Sequence, residues 1–149
     1  MDRSVLDNKV RLEIYRHFVD QGHPPVAAEV ANALRESSAE IEGSFKRLAD
    51  AHVIVLAPQT PYIWLANPLS ALPSPFRVEV EGRDRWGICI WDALGILAML
   101  DKDGTLSTFC PDCDEPLRLD VRDGKVNHSD EVVHFSVPAA RFWDDIGFT

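Results

Sequence analysis

The sequence predicts an α+β protein: a winged-helix-like helical module at the N-terminus, then a small mixed or antiparallel sheet domain with one main helix. Three observations predict it. Three stretches of helical periodicity follow one another early in the chain, and two short apolar runs come after them. Later, strand-like runs and one apolar helical run fall in separate blocks, without the strict alternation of a parallel sheet. Between the two parts, residues 67–76 hold Pro68, Pro73 and Pro75 among small residues. The expected organisation is therefore a helical module over 1–66, a Pro-rich linker or extended crossing over 67–76, and an α+β domain over 77–149.

Val10, Ile14 and Phe18, flanked by Tyr15 and Val19, predict a first amphipathic helix over residues 6–20, stopped by Gly22-His23-Pro24-Pro25. Val26, Val30 and Leu34 mark a short second helix. Ser37 with Glu40 three residues on is a capping box for a third, carried by Ile41, Phe45 and Leu48. An apolar run over 53–56, a turn over 58–61 and Tyr62-Ile63-Trp64-Leu65 supply the hairpin. Three helices and a hairpin is the winged-helix order, which raises DNA binding. The third helix carries Glu40 and Glu42 near its start, where base contacts are made, and Lys46 and Arg47 only later. On that charge pattern the module reads as a packing scaffold, with no specific nucleic acid partner.

Beyond the Pro-rich stretch, residues 77–81 alternate as a strand should, with Val78 and Val80 inward and Glu79 and Glu81 outward. Residues 82–85 read as a turn. Residues 86–90 are strand-like, and Ala93, Leu94, Ile96, Leu97 and Leu100 then recur at helical spacing. Asp103-Gly104 reads as a turn, residues 106–109 and 117–121 as strands, Asp123-Gly124 as a hairpin turn and Lys125-Val126 as its return. A further strand is expected over 132–137, with His134 inside it. The tail, with Phe142, Trp143, Ile146 and Phe148, is apolar enough to want burial.

With 149 residues and 46% hydrophobic content, the chain can bury a real core. A net charge of -9 repels a phosphate backbone. No run approaches membrane-spanning length and the N-terminus lacks a charged-then-apolar leader pattern, so a cytoplasmic protein without a membrane partner is expected. Three cysteines, an odd number, argue against a disulfide framework.

Chemistry concentrates at the strand-to-helix junction. Cys89 and Asp92 stand three residues apart, so a helix starting near Cys89 puts both on one face. Exposed amides at a helix start favour a thiolate, and a neighbouring carboxylate opposes it. Such a pair can share a proton and bind a soft metal. The alternative is a buried strand cysteine followed by a helix-capping aspartate. Cys110-Pro-Asp-Cys113 is a second feature, a metal or reactive-thiol motif in a reducing compartment. A structural zinc would need four ligands. Cys89, His128 and His134 could complete a set, but no second closely spaced pair exists, so permanent zinc is not the expected role.

The order of these features resembles the organomercurial (alkylmercury) lyase family. The residues that carry the resemblance are Pro75-Phe76-Arg77-Val78 after the Pro-rich crossing, Cys89-Ile-Trp-Asp92-Ala-Leu opening a helix, Cys110 after a short strand, and Val133-His134-Phe135. The resemblance implies cleavage of a carbon–mercury bond by protonolysis, giving a hydrocarbon and Hg(II). It implies Cys89 as the mercury-binding thiolate, Asp92 as the proton donor, and Cys110 as a mainly structural cysteine. No cofactor is implied beyond mercury itself; the partners would be an organomercurial substrate and cellular thiols that accept the product. The family's second catalytic cysteine lies past the Val-His-Phe stretch, and no cysteine follows Cys113 here. Either the copy is shortened at its C-terminus, or Cys110 or Cys113 supplies the second thiolate; Cys113 is not part of the family pattern, and Cys89, Cys110 and Cys113 are the candidate metal-binding thiols. The rival readings are a soft-metal binding protein without turnover and a winged-helix regulator that senses metal.

Overall fold

The computed structural model describes residues 3–127 and 130–148. It is built of helices and antiparallel strands, an α+β architecture, in two compact units, Met1–Leu72 and Pro73–Thr149.

The first unit holds α1 (Arg3–Gln21), α2 (Ala27–Leu34) and α3 (Ser38–Asp50), then β1 (Val55–Leu56), β2 (Ile63–Ala66) and β3 (Leu69–Ser70). Leu6, Val10, Ile14 and Phe18 form one buried stripe along α1, meeting Val30 of α2 and Ile41, Phe45 and Leu48 of α3. The capping box opens α3 as the sequence requires: Glu40 N donates to Ser37 Oγ at 3.3 Å, and Ser37 N donates to Glu40 Oε2 at 3.4 Å. Asp7 ties α1 to α3, accepting from Ser44 Oγ at 2.6 Å and from Arg47 Nε at 2.8 Å. Arg47, followed by Ser44, holds the Asp7 carboxyl below its ordinary pKa against the opposing effect of burial.

The three strands form an antiparallel sheet in the order β1-β2-β3. Residues 67–76 carry β3 and the first residue of β4, so part of the expected linker is strand. Leu69 is buried there, opposite Ala66 across the cis Asn67–Pro68 turn. A strand of two residues leaves no alternation to read, and the prolines around it look like breakers.

The second unit holds β4 (Phe76–Val80), β5 (Arg83–Gly87), α4 (Ile90–Leu100), β6 (Gly104–Phe109), β7 (Pro116–Arg122), β8 (Lys125–Val126) and a 3-10 helix, Ala139–Asp144. The strands pair antiparallel throughout in the order β5-β4-β6-β7-β8. Helix α4 packs on β4, β5 and β6, burying Ala93, Ile96 and Leu97 on the sheet side, where Val78, Val80 and Leu106 are also buried.

Three expectations are corrected here. Residues 82–85 are not a turn: β5 begins at Arg83, and the loop is Glu81-Gly82 alone, both at positive φ (52° and 71°) as a tight hairpin of this kind requires. Gly104 is not in a turn but opens β6, where a Cβ would lie 2.5 Å from Leu97 Cδ2 and 2.7 Å from the Glu79 carbonyl oxygen. Glycine is there for close approach of helix to sheet. Residues 132–137 form no strand. The run has β-forming side chains but no ladder partner, since the described sheet ends at the two-residue β8, and Val132 is 89% exposed. Among the described residues, no helix is long and apolar enough to cross a membrane.

Candidate active site

The site is built where β5 hands over to α4. Gly87 ends β5 opposite Phe76, and α4 starts at Ile90 with Cys89 as its N-cap in extended conformation (φ -143°, ψ 176°). Cysteine is a poor cap, and Cys89 makes no capping hydrogen bond through its side chain. Asp92 stands at the third helical position and its carboxylate turns back towards the cap, accepting from Ile88 N at a long 3.4 Å. The N-cap position is thus held by Cys89, and Asp92 reaches the amides at the helix start from the third helical position.

Cys89 and Asp92 are both half-buried and stand three residues apart at the start of α4. Burial raises the Cys89 pKa; the amides of Asp92 and Trp91 pull it down, and the Asp92 carboxylate adds to the rise. Burial also raises the Asp92 pKa, against the lowering effect of the Ile88 amide and of Cys89. Both groups thus hold their protons to higher pH than usual, which suits a pair that shares one. The apolar side chains near Asp92 in sequence, Trp86, Ile90, Trp91 and Leu94, do not shield it equally. Trp91 is 68% exposed, so it shields nothing. Trp86, Ile90 and Leu94 are half-buried, and the close-packed end of β5 stands against Asp92 instead: a Cβ on Gly87 would lie 3.0 Å from Asp92 Cβ.

Cys89 opens on a cavity of about 550 Å³. Its walls are mainly apolar, with Phe76, Ile90, Phe109, Val133 and Phe135 among them, and His134 and Glu131 bring polar groups. Asp92 is not on that wall; it stands three residues past Cys89, in the first turn of α4. Sequence reasoning missed the lining role of Phe76, Phe109 and residues 131–136. The signal was present in Pro75-Phe76 and Val133-His134-Phe135, but as pattern without chemistry, and residues 132–137 were read as a strand.

Cys110 and Cys113 lie on the loop from β6 to β7, Cys110 half-buried and Cys113 exposed. The loop is pinned by Cys110 N donating to the Glu115 carbonyl at 2.8 Å and Asp114 N donating to the Cys110 carbonyl at 2.9 Å. The amides of Asp112 and Cys113, then the Cys113 thiol, pull the Cys110 pKa below its ordinary value. Pro111, between the two cysteines, lines the cavity that Cys89 opens on. Among the described residues, no cluster of three or more His, Cys, Asp or Glu could hold a metal ion. His128, one of the candidate zinc ligands, lies outside the described residues, and His134 is on the cavity wall.

The sequence profile of the alkylmercury lyases, MerB, matches residues 69–149. The chain belongs to the alkylmercury lyase family. The part matched contains Cys89, Asp92, Cys110, Cys113 and the whole cavity lining, whereas the three helices of the first unit lie outside it. A search of curated proteins finds no match. Among solved structures, one described as the crystal structure of the mercury-bound form of MerB2 is similar, with a TM-score of 0.65 at 22% identity. The similarity covers 80% of this chain but 59% of the MerB2 chain. At that identity it shows that this alkylmercury lyase family member shares the MerB2 fold.

Proposed function

We propose that the protein is an organomercurial lyase that cleaves carbon–mercury bonds by protonolysis, with Cys89 as the mercury-binding thiolate and Asp92 as the proton donor. One observation carries this reading: a thiol on the wall of an apolar cavity stands three residues, one helical turn, from a half-buried carboxyl whose pKa is raised by burial.

The chemistry follows from the pair. An organomercurial R–Hg–X enters with its hydrocarbon group against the apolar wall. Cys89 passes its proton to the Asp92 carboxylate and displaces X as its anion, because thiolate is the preferred ligand of a soft metal. A second thiolate on mercury pushes electron density on to the carbon. The proton now on Asp92 goes to that carbon, the carbon–mercury bond breaks, R–H leaves and a mercury dithiolate remains. Cellular thiols then exchange on to the metal. Cys110 and Cys113 are the other thiols of the chain and complete the proposed set of metal ligands.

The helices of the first unit, read as a winged-helix module, serve packing. Arg47, one of the two bases on α3, already pairs with Asp7, which removes it from any phosphate contact.

A second reading, mercury capture without turnover, is favoured by one fact: Asp92 does not reach the cavity wall. Incubation with phenylmercury and excess thiol separates the two. Release of benzene at one equivalent or more per chain supports the lyase. Stoichiometric phenylmercury retention without benzene supports capture alone.

A further inference from the structure

We propose that Cys110 and Cys113 form a second, self-contained dithiol site for a two-coordinate soft cation, set beside the cavity and able to take up Hg(II) without Cys89. The proposal rests on the lyase reading for the source of the ion, but not for the site itself.

Four observations carry it. The two cysteines are three residues apart in a single turn, so one short loop carries both thiols. The loop is held in this shape by its own backbone bonds, Cys110 N to the Glu115 carbonyl and Asp114 N to the Cys110 carbonyl, with Asp114 at positive φ (57°). The turn that carries both thiols is therefore held in place before a metal arrives. Cys113 is exposed, so a ligand can reach it from solvent. Pro111 lines the cavity on which Cys89 opens, which places the dithiol turn at the edge of that chamber.

Ligand number selects the metal. Zinc in a structural site takes four ligands, and no cluster of three or more metal-binding side chains exists among the described residues. A mercuric ion between two thiolates is complete with two. Asp112, Asp114 and Glu115 flank the turn with carboxylates, which favour approach of a cation. Soft thiolate, not carboxylate, then retains a soft ion.

The transfer balances without a redox step. Mercury held by Cys89 and one small thiolate exchanges two sulfur–mercury bonds for two new ones, to Cys110 and Cys113. The protons of those two thiols pass to the thiolates released, at Cys89 and on the small thiol. Joining both sulfurs in one loop makes the second bond intramolecular, so the pair outcompetes a monothiol.

The test is mercury retention by the full chain under reducing conditions, using inorganic Hg(II) as probe and excess glutathione as competitor. Cys89→Ser should still retain one Hg(II) per chain, with two sulfur neighbours by X-ray absorption. Cys89→Ser with Cys113→Ser should retain it on the order of tenfold or more weakly. Cys113 is exposed, so its replacement leaves the fold intact, and circular dichroism checks this. Loss of all retention in Cys89→Ser, or equal retention in the double variant, overturns the proposal. Benzene release by the unaltered protein reports separately on the lyase reading. Turnover without a Cys89-independent ion sinks only the dithiol site; a Cys89-independent ion without turnover sinks only the lyase.

Discussion

Replacing Gly87 by alanine should disturb the site without touching a reacting group. A Cβ there would lie 2.6 Å from Ala93 N, 3.0 Å from Asp92 Cβ and 3.1 Å from Asp92 C. None of these atoms belongs to the far end of a flexible side chain, so no rotamer change relieves the clash. Restoring ordinary contact requires the first turn of α4 and the end of β5 to part by roughly 0.8 Å. The end of β5 is itself held, since Ser74 Oγ donates to the Gly87 carbonyl at 2.5 Å. Overpacking of this kind costs about 1–3 kcal/mol. A displacement near 1 Å at a reacting pair costs about 10²-fold in rate. Chemical denaturation and single-turnover benzene release from phenylmercury measure the two effects. A Gly87→Ala protein with an unchanged unfolding midpoint and unchanged turnover would refute the claim that this contact positions Cys89 and Asp92.

Other outcomes are expected. Gly43→Ala, inside α3, is the opposite case: its Cβ would meet only the movable Arg47 Nη1 at 3.3 Å, so the variant should gain roughly 0.5–1 kcal/mol in denaturant titrations; a loss would show that the Arg47–Asp7 pair cannot adjust. Because Arg47 depresses the folded-state pKa of Asp7, that carboxylate stabilises the fold above the ordinary aspartate range, and the contribution is lost as pH falls through the depressed value. Asp7→Asn should therefore lower the melting temperature at neutral pH and make little difference in strong acid, and an equal loss at both would contradict the ion-pair account. The first unit should show no sequence-dependent DNA shift at physiological salt, since α3 opens with acids and Arg47 is engaged; a salt-resistant, sequence-dependent shift would overturn this.

Elements with a repeated signal were legible in the sequence. The stripe Val10, Ile14, Phe18, the Ser37–Glu40 capping box and the Asp123-Gly124 turn are local patterns with one physical reading, and each stands as read. What escaped depends on partners distant in sequence. Nothing local says that Arg83 pairs with Val80, that Leu69 pairs with Ala66, or that Gly104 faces Leu97. Residues 132–137 show the reverse error: their β-propensity is strong, but no strand among the described residues pairs with them, and residues 132–136 line the cavity instead. The proximity of Cys89 and Asp92 followed from spacing alone, because i and i+3 meet on any helix start. The burial that shifts their pKa values did not, since it comes from β5 and the cavity wall rather than from Trp91.

The central claim is that Asp92 supplies the proton while Cys89 holds the metal, and Asp92→Asn tests it most directly. Asparagine keeps an acceptor for the Ile88 amide and removes a carboxyl that burial disfavours in its charged form. The raised pKa means that the fold binds this proton more tightly than the unfolded chain does, so any stability from it is present in acid and lost as pH rises through the raised value. At neutral pH the substitution should therefore leave the melting temperature unchanged or higher, whereas loss of a helix cap would cost about 1 kcal/mol. The decisive measurement is single-turnover benzene release from phenylmercury-loaded protein at neutral pH, with bound mercury counted in the same sample. Full phenylmercury loading with release slowed by roughly 10²–10⁴-fold is expected. Full loading with release at the rate of the unaltered protein, together with a lowered melting temperature, would show that Asp92 serves the helix end and not the chemistry.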